Sequence, residues 1–169
     1  MKSFERLVVE QIPRLRRYAR ALTGDRVSAD DLVQDTLARA MSRRHLWIRH
    51  KEIRPWLFTI MHNLYVNEIE KRARTPVLIT AEDNDPRLSD QGRPEDGLVL
   101  RDLDRALTEL SEEQREVVLL IGLEQLSYRE TARILGIPTG TVMSRLSRGR
   151  ERLRDLMSGK SEAELRRIK

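Results

Sequence analysis

Ser144, Ser147 and Arg148 fall on one side of a stretch in which Val142, Leu146, Gly149 and Leu153 recur at helical spacing on the other. At about 100° per residue the polar side also holds Gly140 and Glu151 and is flanked by Met143 and Arg145. Small hydroxyls and arginine near the start of a helix suit the base edges and phosphates of a duplex. The elements that must position them are legible just upstream. Ser127-Tyr128-Arg129-Glu130 has the spacing of a capping box and opens a helix carrying Ala132, Ile134 and Leu135. Gly136 can take the left-handed conformation of a sharp turn, Ile137-Pro138 extends the chain, and Thr139 can cap a second helix from about Gly140. Two short helices around a tight turn, the second entering a major groove, make a helix-turn-helix. From Ser127 to Met157 seven arginines face three carboxylates. A plain helical hairpin with a solvated arginine face is the bland alternative; the order of cap, turn glycine, proline and second cap argues against it.

A different chemistry sits in the first half. Four of the seven aromatics, Trp47, Trp56, Phe58 and Tyr65, and all three histidines, His45, His50 and His62, lie between residues 45 and 65. Eight Lys/Arg face three Glu between Met41 and Arg74. Aromatic faces interleaved with cations suit unpaired bases, where stacking is worth about 1–3 kcal/mol per base. A helix is predicted from Pro55, a favourable first-turn residue, to about Arg74. Leu57, Ile60, Met61 and Leu64 form its core face, while Trp56, Thr59, Asn63, Asn67, Glu70 and Arg74 fall on a separate stripe. Asparagine is a poor helix former, but its amide both donates and accepts, so it can read the edge of an extruded base. The alternative puts Trp56 in the core and leaves the asparagines as incidental surface.

Two further helices precede this one. Leu7, Val8, Gln11, Ile12, Leu15, Ala19 and Leu22 mark the first, which stops at Thr23-Gly24; Ser28-Ala29-Asp30-Asp31 is read as the capping box of the second. That second helix buries Leu32, Val33, Thr36, Leu37 and Ala40. It presents Asp30, Asp31, Gln34, Asp35 and Ala38 on the opposite side, an acidic and amide face suited to a basic protein surface, or simply to water. Residues 75–97 contain three of the six prolines, lack helical periodicity and carry six acids against two arginines, which reads as a linker. Periodicity returns over Leu98–Leu110, and the capping box Ser111-Glu112-Glu113-Gln114 leads a helix through Leu123; Ser158–Lys169 reads as a frayed helix or polar tail.

The whole chain of 169 residues is mildly basic, at +5 net charge, and 35% charged against 4% aromatic. Zero cysteines exclude disulfides, thiolate metal sites and cysteine nucleophiles. No apolar run approaches a membrane span, and Met1–Arg17 has no signal-peptide core, so a cytoplasmic address is expected. The expected fold is all-α: two small helical domains joined by a flexible linker, the C-terminal one a helix-turn-helix.

The order of these features resembles a known family. Asp30-Asp31-Leu32-Val33-Gln34-Asp35-Thr36, Arg54-Pro55-Trp56-Leu57-Phe58-Thr59-Ile60, and Asn63-Leu64 with Arg72-Ala73-Arg74 are similar to the second domain of bacterial sigma factors. Leu110-Ser111-Glu112-Glu113-Gln114-Arg115-Glu116-Val117, Ser127-Tyr128-Arg129-Glu130-Thr131-Ala132 and Gly140-Thr141-Val142-Met143-Ser144-Arg145 are similar to the fourth. The likeness covers roughly residues 10–157, and the linker is too short for a third sigma domain, a layout that resembles the extracytoplasmic-function (ECF) group. It implies a region 2 domain over 1–74, an acidic linker over 75–97, a region 4 domain over 98–157 and a tail over 158–169.

The resemblance further implies a non-enzymatic subunit without metal or cofactor that directs core RNA polymerase to promoters. Asp31, Gln34 and Asp35 would face the β′ clamp helices, and region 4 the β flap. The loop His45–Arg54 with Trp56, Asn63 and Asn67, assisted by Arg54, Arg72 and Arg74, would hold the melted minus-ten strand. Ser144, Ser147 and Arg148, with Thr141, Met143, Arg145 and Arg152, would contact the minus-thirty-five duplex. Met143 stands where relatives often carry arginine. An anti-sigma factor is the implied regulator.

Three other readings compete. A stand-alone helix-turn-helix regulator leaves the Trp56/Asn63/Asn67 stripe unexplained. A sigma-like decoy that binds a regulator would keep the fold and lose promoter contacts. A histidine-dependent nuclease lacks ligand spacing, since the histidines stand 5 and 12 residues apart with no acidic set at matching intervals.

Overall fold

The computed structural model describes residues 2–47, 52–75 and 94–168; among them every regular element is helical. The first helix, α1 (Phe4–Thr23), starts at Ser3, whose hydroxyl accepts from the Arg6 amide, and ends at Gly24 in the left-handed conformation. α2 (Arg26–Ser42) begins two residues before the expected capping box: the cap is Asp25, whose carboxylate accepts from Ser28 N–H at 2.8 Å. Only a one-residue gap separates Gly24 from α2, so α1 and α2 form an antiparallel pair with the shortest practical turn.

A four-residue helix, α3 (Arg44–Trp47), occupies the start of the segment read as a DNA-capturing loop; residues 48–51 of that loop lie outside the described residues. α4 (Ile53–Arg74) opens two residues before Pro55 and has no side-chain cap. Leu57, Ile60 and Met61 are buried as the periodicity requires, with Leu64 half-buried.

In the second half, α5 (Pro94–Thr108) takes up the last four residues assigned to the linker, whose remaining residues 76–93 lie outside the described set. α6 (Glu112–Val118) is capped by Ser111 and passes into a π-helical turn, Leu119–Leu123, closed by Glu124 N–H donating to the Leu119 carbonyl at 3.0 Å. α7 (Tyr128–Leu135) and α8 (Thr139–Ile168) follow. α8 is 30 residues long, so the second helix of the motif is not short, and the segment read as a frayed helix or tail is its continuation.

The two halves do not stand apart. One continuous buried cluster joins Leu15, Leu22, Phe58 and Met61 from the first to Leu110, Leu119, Leu120 and Ile134 from the second. α4 packs on α7, and α1 on α5 and the π turn. A smaller core of Val117, Ala132, Val142 and Leu146 holds the helix-turn-helix together.

Gly149 shows how close that packing is. A methyl group there would meet Val118 Cγ2 at 2.8 Å. On an open helix surface Gly→Ala is worth about 1 kcal/mol of stabilisation; here the clash reverses the sign. Gly149→Ala is expected to destabilise by about 1–3 kcal/mol, read as a lower urea midpoint at unchanged slope.

Candidate nucleic-acid and polymerase interfaces

The helix-turn-helix is built as its sequence demands. Ser127 Oγ accepts from Glu130 N–H at 3.1 Å and Glu130 Oε2 accepts from Ser127 N–H at 2.8 Å, completing the capping box. Gly136 adopts φ +65°, where a side chain would be strained, and turns the chain into Ile137-Pro138. α8 then begins at Thr139, one residue earlier than expected, with Thr141 and Val142 amides donating to the Pro138 carbonyl.

Val142, Leu146 and Gly149 are buried, while Met143, Ser144, Ser147, Arg148 and Arg152 are exposed on the rest of α8. Ser144 Oγ donates to the Thr141 carbonyl at 3.1 Å, and Thr141 itself is half-buried. Arg145 differs from its neighbours: it turns toward α6 and pairs with Glu113 at 3.4 Å. A shallow, open depression of about 350 Å³ lies beside the helix start, lined by Tyr128, Met143, Leu146, Ser147, Arg150 and Arg154. Tyr128, Arg150 and Arg154 were missed in the sequence, although Arg150 and Arg154 follow Met143 and Ser147 at i+7, a helical repeat that could have found them.

On α4 the aromatic set divides. Phe58 and Tyr65 are buried, Phe58 against Tyr18 with ring centroids 5.0 Å apart, and neither can stack on a base. The four-aromatic platform is therefore corrected: sequence spacing alone does not distinguish inward from outward rings on a helix apolar over much of its surface. Trp56 is half-buried with its ring edge-on to Phe4 at 6.0 Å, and Phe4 in turn packs on Trp47 at 5.4 Å. Asn63 and Asn67 are exposed one turn apart, and Arg54 is half-buried at the helix start. Arg74 is exposed, and Arg72 lies 3.4 Å from Glu68 and 3.4 Å from the Ser28 hydroxyl. On α2, Asp31, Gln34 and Asp35 are exposed opposite buried Leu32, Val33 and Thr36.

Between the halves lies a polar seam. Glu124, at 0% exposure, pairs with Arg17 at 2.9 Å and faces Arg14 at 3.6 Å. Buried Glu116 meets His62 Nδ1 at 2.9 Å, so this histidine serves the seam. Arg115 reaches across it, donating to the Leu107, Thr108 and Leu110 carbonyls at the end of α5 and to the Leu22 carbonyl at the end of α1. Burial pushes the Tyr65 phenol above its usual range, with Arg115 pulling it down and Glu112 and Glu116 adding to the rise.

Two family models match the chain, the Sigma2 domain of PhyR over residues 8–62 and Sigma-70 region 4 over residues 100–153. The ECF RNA polymerase sigma factor EcfG of Rhodopseudomonas palustris is 34% identical over 154 residues, covering 89% of this chain and 82% of the relative. The chain belongs to the ECF sigma factors. ECF SigE of Mycolicibacterium smegmatis is also 34% identical, over 94% of this chain and 63% of that protein.

The fold is that of solved sigma factors. RpoE of Bartonella quintana, solved with the anti-sigma factor NepR, superposes with a TM-score of 0.79 at 34% identity, covering 94% of this chain and 98% of that one. CnrH, solved with the cytosolic domain of CnrY, gives 0.67 at 26% identity over 92% and 88% of the two chains. Sigma factors are initiation subunits rather than enzymes, and no described helix is long and apolar enough to cross a membrane.

Proposed function

We propose that this ECF sigma factor binds core RNA polymerase through its first half, over 1–74, and reads promoter DNA in two states, melted through α4 and double-stranded through α8, the core of a region 4 unit over 98–157. The observation that carries this is the simultaneous exposure of three chemically distinct faces on one chain whose halves share a buried cluster. Asp31, Gln34 and Asp35 project from α2, Asn63 and Asn67 from α4, and Ser144, Ser147 and Arg148 from α8.

The α2 face takes the β′ clamp helices, and region 4 takes the β flap. Asn63 and Asn67 read an extruded minus-ten base; Trp56 offers its exposed portion to that base, and Arg54, Arg72 and Arg74 track the phosphates. At the minus-thirty-five duplex, Ser144, Ser147 and Arg148 address base edges, while Thr141, Arg145 and Arg152 stand behind them toward the backbone. An anti-sigma factor, of the kind bound to RpoE, is the regulator that fits, and the site of action is the cytoplasm.

Run-off transcription with core polymerase on a promoter library tests the whole reading; initiation that does not rise when this protein is added rejects it. Within that assay Arg148→Ala is expected to cut preference for the upstream element by about 5- to 100-fold, the worth of one good base contact, with polymerase binding intact. Unchanged preference would remove Arg148 from the reading. Asn63→Ala is expected to impair selection of the downstream element on linear templates. A pre-opened bubble showing an equal deficit at every sequence would rule out base reading by Asn63.

A further inference from the structure

The groove face of α8 holds one side chain that hydrogen-bonding chemistry does not explain. Met143 is 52% exposed on the second turn of the helix, uncovered by any of the described residues. It lines a shallow, open depression of about 350 Å³ together with Tyr128, Ser147, Arg150 and Arg154, while Leu146 beneath is buried. Arg150 and Arg154 lie one turn apart on the same side as Met143 and Ser147. An exposed thioether beside two cations fits the outer edge of a DNA strand, which offers phosphates at its rim and, in the major groove, an apolar group only where a thymine places its C5 methyl.

We infer that Met143 seats a thymine methyl of the upstream promoter duplex, while Arg150 and Arg154 hold the flanking phosphates of the strand that carries it. This rests on the reading of α8 as the duplex-reading helix and adds to it a specified contact. A thioether side chain offers no directional bond here, so it selects by shape and dehydration. It favours thymine over cytosine or uracil at one position and is indifferent to the amide and carbonyl pattern that Arg148 reads.

The test uses the full chain with core polymerase on a promoter selected from a random library, followed by promoters in which single thymines of the upstream element are replaced by deoxyuridine. One replacement is expected to lower complex formation by about fourfold, the worth of one buried methyl. The loss should vanish in Met143→Ala, and 5-methylcytosine at that position should recover affinity that cytosine loses. Arg150→Ala with Arg154→Ala should weaken every duplex alike and lower the salt slope by about 1.8, for two phosphates.

A flat uracil scan, a selected element without an A·T pair, a deficit that persists in Met143→Ala, or an unchanged salt slope overturns the inference. Failure of the underlying reading looks different: no upstream element is selected at all, and Arg148→Ala changes nothing.

Discussion

Replacing Arg14 and Arg17 together by methionine is expected to lower the unfolding free energy by about 3–5 kcal/mol, the usual cost of leaving a buried charge without its partner. The arginines are roughly half-exposed and Glu124 is fully enclosed, so the cost of breaking the group is asymmetric. Without the guanidinium groups, the Glu124 carboxylate stays in the seam without its two cationic partners; its Oε2 makes no hydrogen bond among the described residues and lies 3.6 Å from Arg14. Without the carboxylate, both arginines can turn to water. Glu124→Gln is therefore expected to cost only about 1 kcal/mol. Adding it to the double methionine variant should restore most of the loss.

For a chain of this size a change of 3–5 kcal/mol is about 6–20 °C in Tm. The penalty has a ceiling, because undocking the two halves would return Glu124 to solvent. Small-angle scattering on the same variants shows which limit applies: a compact chain of this length has a radius of gyration near 15 Å, and undocked halves give a larger value. A loss below about 1 kcal/mol with an unchanged radius would show that Glu124 does not depend on its arginines.

The second large effect belongs to Arg115. Its guanidinium donates to four carbonyls, Leu107 at 2.7 Å, Thr108 and Leu110 at 3.0 Å, and Leu22 at 3.1 Å. Leu22 and Leu107 lie in the last turns of α1 and α5, Thr108 ends α5 and Leu110 follows it; the Leu107 carbonyl also accepts from Leu110 N–H at 3.2 Å, and a positive charge is favoured at both helix ends. Arg115→Met is expected to destabilise by about 3 kcal/mol, since several partly buried acceptors lose a charged donor at once. Lysine cannot replace it, because a single ammonium has no planar fork to span two helix ends. Arg115→Lys should therefore lose most of the same stability in urea denaturation; near-wild-type behaviour would mean that charge alone, without the four-way geometry, secures the seam.

Both predictions concern contacts that the sequence did not disclose. Arg115 lies inside the motif Leu110–Val117, which assigns it no role, and Glu124 falls just past the helix read through Leu123, with nothing in the sequence to single it out. Arg17 and Glu124 are 107 positions apart, and no periodicity links residues at that distance. His62 drew notice as a chemically capable side chain, but its partner is Glu116, 54 positions away. Neither pairing leaves a local signature.

By itself the sequence determined most of the helices, though not α3 or the reach of α8, the Ser111 and Ser127 caps, the turn at Gly136, most of the inward faces of α1, α2 and α4, and the outward sets on α2 and α8. Each follows from spacing within a few residues, where backbone geometry dictates which side chains share a face. The tertiary structure alone decided that Phe58 and Tyr65 point inward, that Trp56 rests on Phe4, that Arg145 answers Glu113, and that the two halves close on Glu116, Glu124 and Arg115. Those outcomes depend on which surfaces meet, and that is fixed by desolvation and charge pairing summed over distant segments rather than by any local preference of the chain.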